Sequence, residues 1–394
     1  MGIDTSTNGL FGRRVLISGS SSPHTRHDII NAAHSLVSAL AAGIIENGGG
    51  LVTGVGREPR APDSRPGSPA LTFDWTALET ALSALGRGAS RWPFDVGRPL
   101  VVVLSEKAES EIPADRKQLW NELLKSSFVD LKSIQPGARS GAMVRELQAR
   151  YANILVTLGG GTGVEHLADR FISLRRPVIP LDLPLGASRG DGTGGSESLA
   201  RLARASPGKF FRLDRSHRGN SGAYLTSTSA RHNTNNPVQM AKGLISILLG
   251  LERPKAFYVR LMDRQDPAFP KVDEFFRRVV DPVTQKMGFQ RVEIGTDEAR
   301  CAFINVEIFE SLHFSDMAVV DITGHRPNCF IELGYSLGRG VRTIVTAQRG
   351  TPLPFDQQAI PCYFWDHSTP RDRTENELSE FLSNYLNRPQ VVQP

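Results

Sequence analysis

Cysteine is scarce in this chain, long apolar runs are missing, and charge of neither sign is gathered into blocks. The cysteines number three in 394 residues. Cys301, Cys329 and Cys362 are widely spaced, odd in number and without a Cys-x-x-Cys pair, which argues against a disulfide framework or a zinc site and for a reducing compartment. No metal and no cofactor is expected. The stretch from Met1 to Arg14 lacks an apolar signal core, and no run of about 18 apolar residues offers a bilayer span. A cytoplasmic protein with no membrane partner is the expectation. No Lys/Arg run or basic helix points to nucleic acid, although a net charge of +5 suits ligands that carry phosphate. No short-period repeat is present.

What is there is an ordinary globular composition, 40% hydrophobic and 22% charged, long enough for two cores. Two alternations of strand, loop and helix run along the chain. Each predicts a mainly parallel sheet flanked by helices, so the fold class is α/β with two Rossmann-like domains. In the first, short apolar runs at Arg14–Gly19, Leu51–Thr53, Pro99–Leu104, Asn153–Thr157 and Arg176–Pro180 read as strands. Helical spacing covers residues 28–46, 141–150, 164–174 and 240–251, and residues 120–131 read as helix and connector. Stretches 57–70, 185–198 and 216–236 read as loops. The Arg253-Pro254 pair marks the boundary, giving domains 1–252 and 253–394. In the second alternation, strands are expected at Ala256–Arg260, Met317–Asp321 and Arg342–Thr346, with helices near 272–287, 328–340 and 375–386.

Between the strand at 153–157 and the helix from Val164 lie Gly159, Gly160, Gly161, Thr162 and Gly163. Glycines there allow backbone N–H groups to converge on a phosphate at a helix N-terminus, though such turns also serve simple close packing. Arg145 lies one helix upstream and Glu165 opens the next helix, a cation and an acid near that turn. Taken with Gly19-Ser20-Ser21, Leu51-Val52-Thr53-Gly54 and Met143-Val144-Arg145-Glu146, these segments resemble the SLOG superfamily, in particular lonely-guy-type phosphoribohydrolases. The resemblance covers about residues 13–210. Glu146, Leu158 and the reversed Thr162-Gly163 depart from the family pattern. It implies that Gly19, Ser20, Ser21, Gly54, Arg145, the turn 159–163 and Glu165 bind a nucleotide-derived ligand.

The run from Phe314 to Gly338 ends a strand in Asp321, turns through Thr323-Gly324, and opens a helix at Pro327-Asn328. With Asn328 as cap, Glu332 is expected in the first helical turn, at the carboxyl edge of a parallel sheet where ligands of open α/β folds bind. Glu332, Ser336 and Arg339 read as a polar stripe, leaving Phe330, Ile331, Leu333 and Leu337 to pack. This run resembles the nucleoside 2-deoxyribosyltransferase-like family and its TIR-like relatives, over about residues 255–348. The resemblance implies that Glu332 acts at C1 of a ribose, with Asp321 and Asn328 orienting the substrate. Arg260 is a candidate phosphate contact and Arg326 a further candidate substrate-binding residue, and Arg326 and Arg339 are the cations expected to keep Glu332 ionised.

Together these features imply a nucleotide-responsive effector. Its C-terminal domain would cleave the N-glycosidic bond of NAD or a related nucleotide, in prokaryotic antiviral defence, with self-association into a homo-oligomer as a gate. Two alternatives stand beside it: a phosphoribohydrolase working in the first domain on nucleoside monophosphates, and a non-catalytic nucleotide-binding scaffold.

Overall fold

The protein, seen in a computed structural model, is described at residues 10, 12–60, 68–88, 92, 97–135, 137, 140–186, 195–212, 236–292, 304–353 and 360–386. The polar stretch at 216–235, most of the Gly/Ser-rich stretch at 185–198, and Cys301 lie outside those residues. The chain divides into two units, one of residues 1–92 and 98–252, the other of residues 93–97 and 253–394.

In the first unit, six strands form one sheet in the order β4-β3-β2-β1-β5-β6: β1 Arg14–Ser20, β2 Gly50–Gly54, β3 Leu100–Ser105, β4 Val129–Ile134, β5 Ile154–Gly159 and β6 Val178–Leu181. Every pairing is parallel. Strands β3, β5 and β6 are buried throughout, as expected where helices cover both faces. Helix α1, His27–Glu46, buries Ile30, Leu36, Val37, Leu40 and Ile44 on one face. It ends at Asn47, whose Nδ2 donates to the Gly43 carbonyl at 2.8 Å. Contrary to the expectation from the sequence, α1 is long and apolar enough to cross a membrane, with a mean hydropathy of 1.5. Here its apolar face is packed within the first unit, against helix α2 (Asp74–Gly86) and the helix Pro237–Leu249.

The second unit has the sheet order β11-β10-β9-β7-β8, with β7 Lys255–Val259, β8 Gln290–Val292, β9 Met317–Asp321, β10 Arg342–Gln348 and β11 Cys362–Trp365. It too is parallel throughout. The helix expected over 272–287 runs as Phe269–Phe275, a π turn Phe276–Val280, and Asp281–Lys286. Pro282 lacks the N–H that an unbroken α-ladder needs there, and a π turn precedes it.

Several elements exceed what periodicity had indicated. Helix α2, strand β4 and the helix Gly195–Ala205 are additional in the first unit; the last replaces the end of the loop expected at 185–198. Strands β8 and β11 and the helix Ile304–His313 are additional in the second.

Candidate active site

The strand order of the second sheet reverses between β7 and β9, because β8 lies on one side of β7 and β9 on the other. That topological switch opens a crevice at the carboxyl ends of the strands. A cavity of about 310 Å³ occupies it, walled by residues 257–263 at the end of β7 and by Asn328, Cys329 and Glu332 of the helix that follows β9.

That helix runs Pro327–Arg339. Pro327 starts it, since a fixed φ and a missing N–H suit the first helical position. Arg326, not Asn328, is therefore the residue before the helix. Glu332 accordingly falls in the second turn rather than the first. The expected polar stripe is also revised: Ser336 is fully buried and hydrogen-bonded to Leu333 and Thr343, whereas Ile331 is 58% exposed.

Glu332 lines the cavity half-buried, and among the described residues its carboxylate has no hydrogen-bond or ion-pair partner. Burial alone pushes its pKa up to about 7, the direction that desolvation dictates for an acid. The cations expected to hold it ionised are engaged elsewhere. Arg326 donates to Asp263 at 2.7 Å and Asp266 at 2.9 Å, and Arg339 donates to His313. Cys329 beside it is pushed up to about 12, by burial first and then by the charge of Glu332, so its thiol is no rival nucleophile.

Of the other residues singled out, Asn328, Arg260 and Arg326 share this cavity with Glu332. Arg260 is 8% exposed, pairs with Asp273 at 2.9 Å and lies over the Phe276 ring. Asp321 is not brought to the cavity wall. It is fully buried and accepts from Thr323 N at 3.0 Å, Thr346 Oγ1 at 2.8 Å and Trp365 Nε1 at 2.9 Å. Burial raises its pKa, against the pull of those hydrogen bonds.

In the first unit the order reverses between β1 and β5. Gly19 sits there against β5, where a Cβ would stand 1.8 Å from the Leu158 carbonyl oxygen; only glycine allows the strands this approach. Gly159 and Gly160 turn with φ of 58° and 75°, and the Gly160 N–H donates to the Ser20 carbonyl at 2.7 Å. Gly161 precedes the helix Thr162–Ser173 without a side-chain cap, leaving Thr162 and Gly163 in its first turn. Arg145 reaches this turn: its Nε donates to His166 at 3.0 Å, and its Nη1 lies 3.7 Å from where a Gly163 Cβ would be.

Glu165, however, accepts the Gly195 N–H at 2.8 Å and so anchors the start of the helix Gly195–Ala205. Glu146, standing where the family pattern has Lys, pairs with Arg170 at 2.6 Å. Gly54 ends β2 between Gln148 and Asp74. Asp74 belongs to no motif and was not anticipated. Burial pushes its pKa up to about 6, opposed by hydrogen bonds from its own backbone, Thr53 and Gly54.

Comparison with known proteins adds a family to this geometry. The family described as "ATP nucleosidase Cap17-like, N-terminal" matches residues 10–245. Two curated relatives, each an "ATP nucleosidase Cap17", come from Escherichia coli (strain KTE188) and from Escherichia coli; each is 30% identical over 191 residues. The shared stretch is 48% of this chain and 35% of each relative, so the chain spans about a third of the relatives' length.

Proposed function

The chain belongs to the Cap17-like ATP nucleosidase N-terminal family through residues 10–245, and from that membership we propose a nucleotide-cleaving protein of antiviral defence. The first unit binds a nucleotide-derived ligand at its glycine turn. The second unit breaks the N-glycosidic bond of a nucleotide. The observation that carries this reading is a carboxylate, Glu332, unpartnered among the described residues, on the wall of a cavity of about 310 Å³ at the switch point of its sheet.

Chemically, the bond from C1′ to the base nitrogen breaks and the base departs with the electron pair. Positive charge then develops on the sugar, and an ionised Glu332 facing C1′ stabilises it, by proximity or as a covalent ester. Water adds its oxygen to C1′ and passes its proton to the released base or to solvent. Asn328 and Arg326 line the same wall, and in this reading they orient the sugar and its phosphate. ATP, from the name of the relatives, and NAD, from the TIR-like resemblance, both contain such a bond. Self-association of the chain would gate an activity that depletes nucleotides.

A second reading places the chemistry in the first unit, because the family match falls there and not on Glu332. The engagement of Glu165 by the Gly195 N–H opposes it. The deciding experiment incubates the full chain with ATP, NAD, AMP and deoxynucleosides, with and without cyclic nucleotide or ADP-ribose, and separates free bases chromatographically. Release of adenine or nicotinamide supports the proposal; no release under any condition refutes it and leaves a nucleotide-binding scaffold.

A further inference from the structure

At the carboxyl edge of the first sheet, three segments are tied together by the end of β1. The Ser20 carbonyl accepts the Gly160 N–H, Ser20 bridges to Thr72, and the Ser21 N–H donates to the Leu71 carbonyl at 2.8 Å. The segment so held leads directly into α2, whose first residue is Asp74. Asp74 Oδ1 accepts from Thr53 Oγ1 at 3.4 Å.

From the opposite side, the helix Ser140–Tyr151 brings in Gln148. A Cβ at Gly54 would lie 3.3 Å from Gln148 Nε2 and 4.0 Å from Asp74 Oδ1. The carboxylate and the amide therefore both stand beside Gly54, a glycine that leaves room for a ligand next to them. Gln148 is 8% exposed, and its amide makes no hydrogen bond among the described residues. The Ser21 hydroxyl, on a residue 1% exposed, is likewise without a partner. Buried polar groups are normally satisfied; the Ser21 hydroxyl is a buried one that is not, and the Gln148 amide stands free among the described residues at the sheet edge where ligands of such folds bind.

Arg145 lies three residues before Gln148 and hence on the same helical face. One end of that face reaches the glycine turn and the other reaches Gly54, which Asp74 also approaches. We propose that Asp74 and Gln148 bind the ribose hydroxyls of the nucleotide whose phosphate lies at residues 159–163, with Arg145 beside the phosphate. The donor and acceptor inventory fits: the carboxylate accepts from one hydroxyl, while the amide both donates and accepts at its neighbour. This inference rests on the first unit being a nucleotide-binding module.

The test is calorimetric titration of the full chain with AMP and with 2′,3′-dideoxy-AMP. Wild type is expected to bind AMP at least about tenfold more tightly, the scale of one or more lost hydrogen bonds to a charged acceptor. Asp74→Asn and Gln148→Ala are each expected to bring AMP toward the dideoxy affinity while leaving dideoxy-AMP within about twofold. Arg145→Ala weakens both nucleotides alike. Equal wild-type affinity for the two nucleotides, or variants that weaken both equally, overturns the roles of Asp74 and Gln148 and leaves nucleotide binding standing. Binding of neither nucleotide by wild type overturns both.

Discussion

The indole Nε1 of Trp365 donates to Asp321 Oδ2 at 2.9 Å, fastening the aspartate that ends β9 to the last strand of its sheet. The same oxygen accepts from Thr346 Oγ1 on the strand between them, and the other oxygen accepts the Thr323 N–H. Asp321 is thus a clamp across β9, β10 and β11 that also shapes the turn toward Arg326.

Removing that clamp leaves buried donors without an acceptor, each costing about 1–3 kcal/mol. Asp321→Ala is expected to destabilise the second unit by about 3 kcal/mol or more, seen as a lower midpoint in chemical denaturation. An unchanged midpoint with lost activity would instead give Asp321 a direct role in the reaction.

Glu332 sets the pH dependence. Its pKa is raised to about 7 by burial, and in the proposed mechanism it is the ionised form that acts on the developing sugar cation. Activity is therefore expected to rise with pH through about 7 and level above it; a profile that falls over that range would make Glu332 a general acid. Stability follows the opposite sign. A raised folded-state pKa favours the protonated form, so the contribution is complete below the unfolded value of 4.5 and is lost as pH climbs through about 7. Glu332→Gln should accordingly raise the melting temperature at pH 8 and leave it unchanged at pH 4.

Arg326 is shared by Asp263 and Asp266 at the cavity mouth, with side chains 40%, 48% and 17% exposed. Pairs this exposed contribute up to about 1 kcal/mol each. Asp266→Asn should therefore cost little stability while leaving the Arg326 fork less neutralised. The KM for a phosphorylated substrate is expected to fall by roughly three- to tenfold, with no change for the unphosphorylated nucleoside, reflecting charge-assisted contact with phosphate. An equal change for both would remove Arg326 from phosphate recognition.

Much of this was legible in the sequence because central parallel strands, buried on both faces, appear as short apolar runs. Gly19, the glycine turn at 159–163 and the Glu332 segment are short local motifs that can be read without the fold. Strand β4 was not legible: at the sheet edge only its end residues Val129 and Ile134 are buried, and Leu131 between them is 37% exposed. Strand β8 is short and mostly exposed. The role of Asp321 depends on Thr346 and Trp365, 25 and 44 residues away, and only the fold brings Asp74 and Gln148 both beside Gly54. An Asn before an apolar run has the chemistry of a helix cap, but Pro327 starts the helix one residue earlier, which moves Glu332 from the first turn to the second.

The most direct measurement is the rate of base release from ATP and NAD at pH 8 by wild type, Glu332→Gln and Glu165→Gln, each shown to be folded by circular dichroism. Loss of at least about a hundredfold in Glu332→Gln, with Glu165→Gln within a few-fold of wild type, is the predicted result. Full activity in Glu332→Gln, or loss confined to Glu165→Gln, would contradict it.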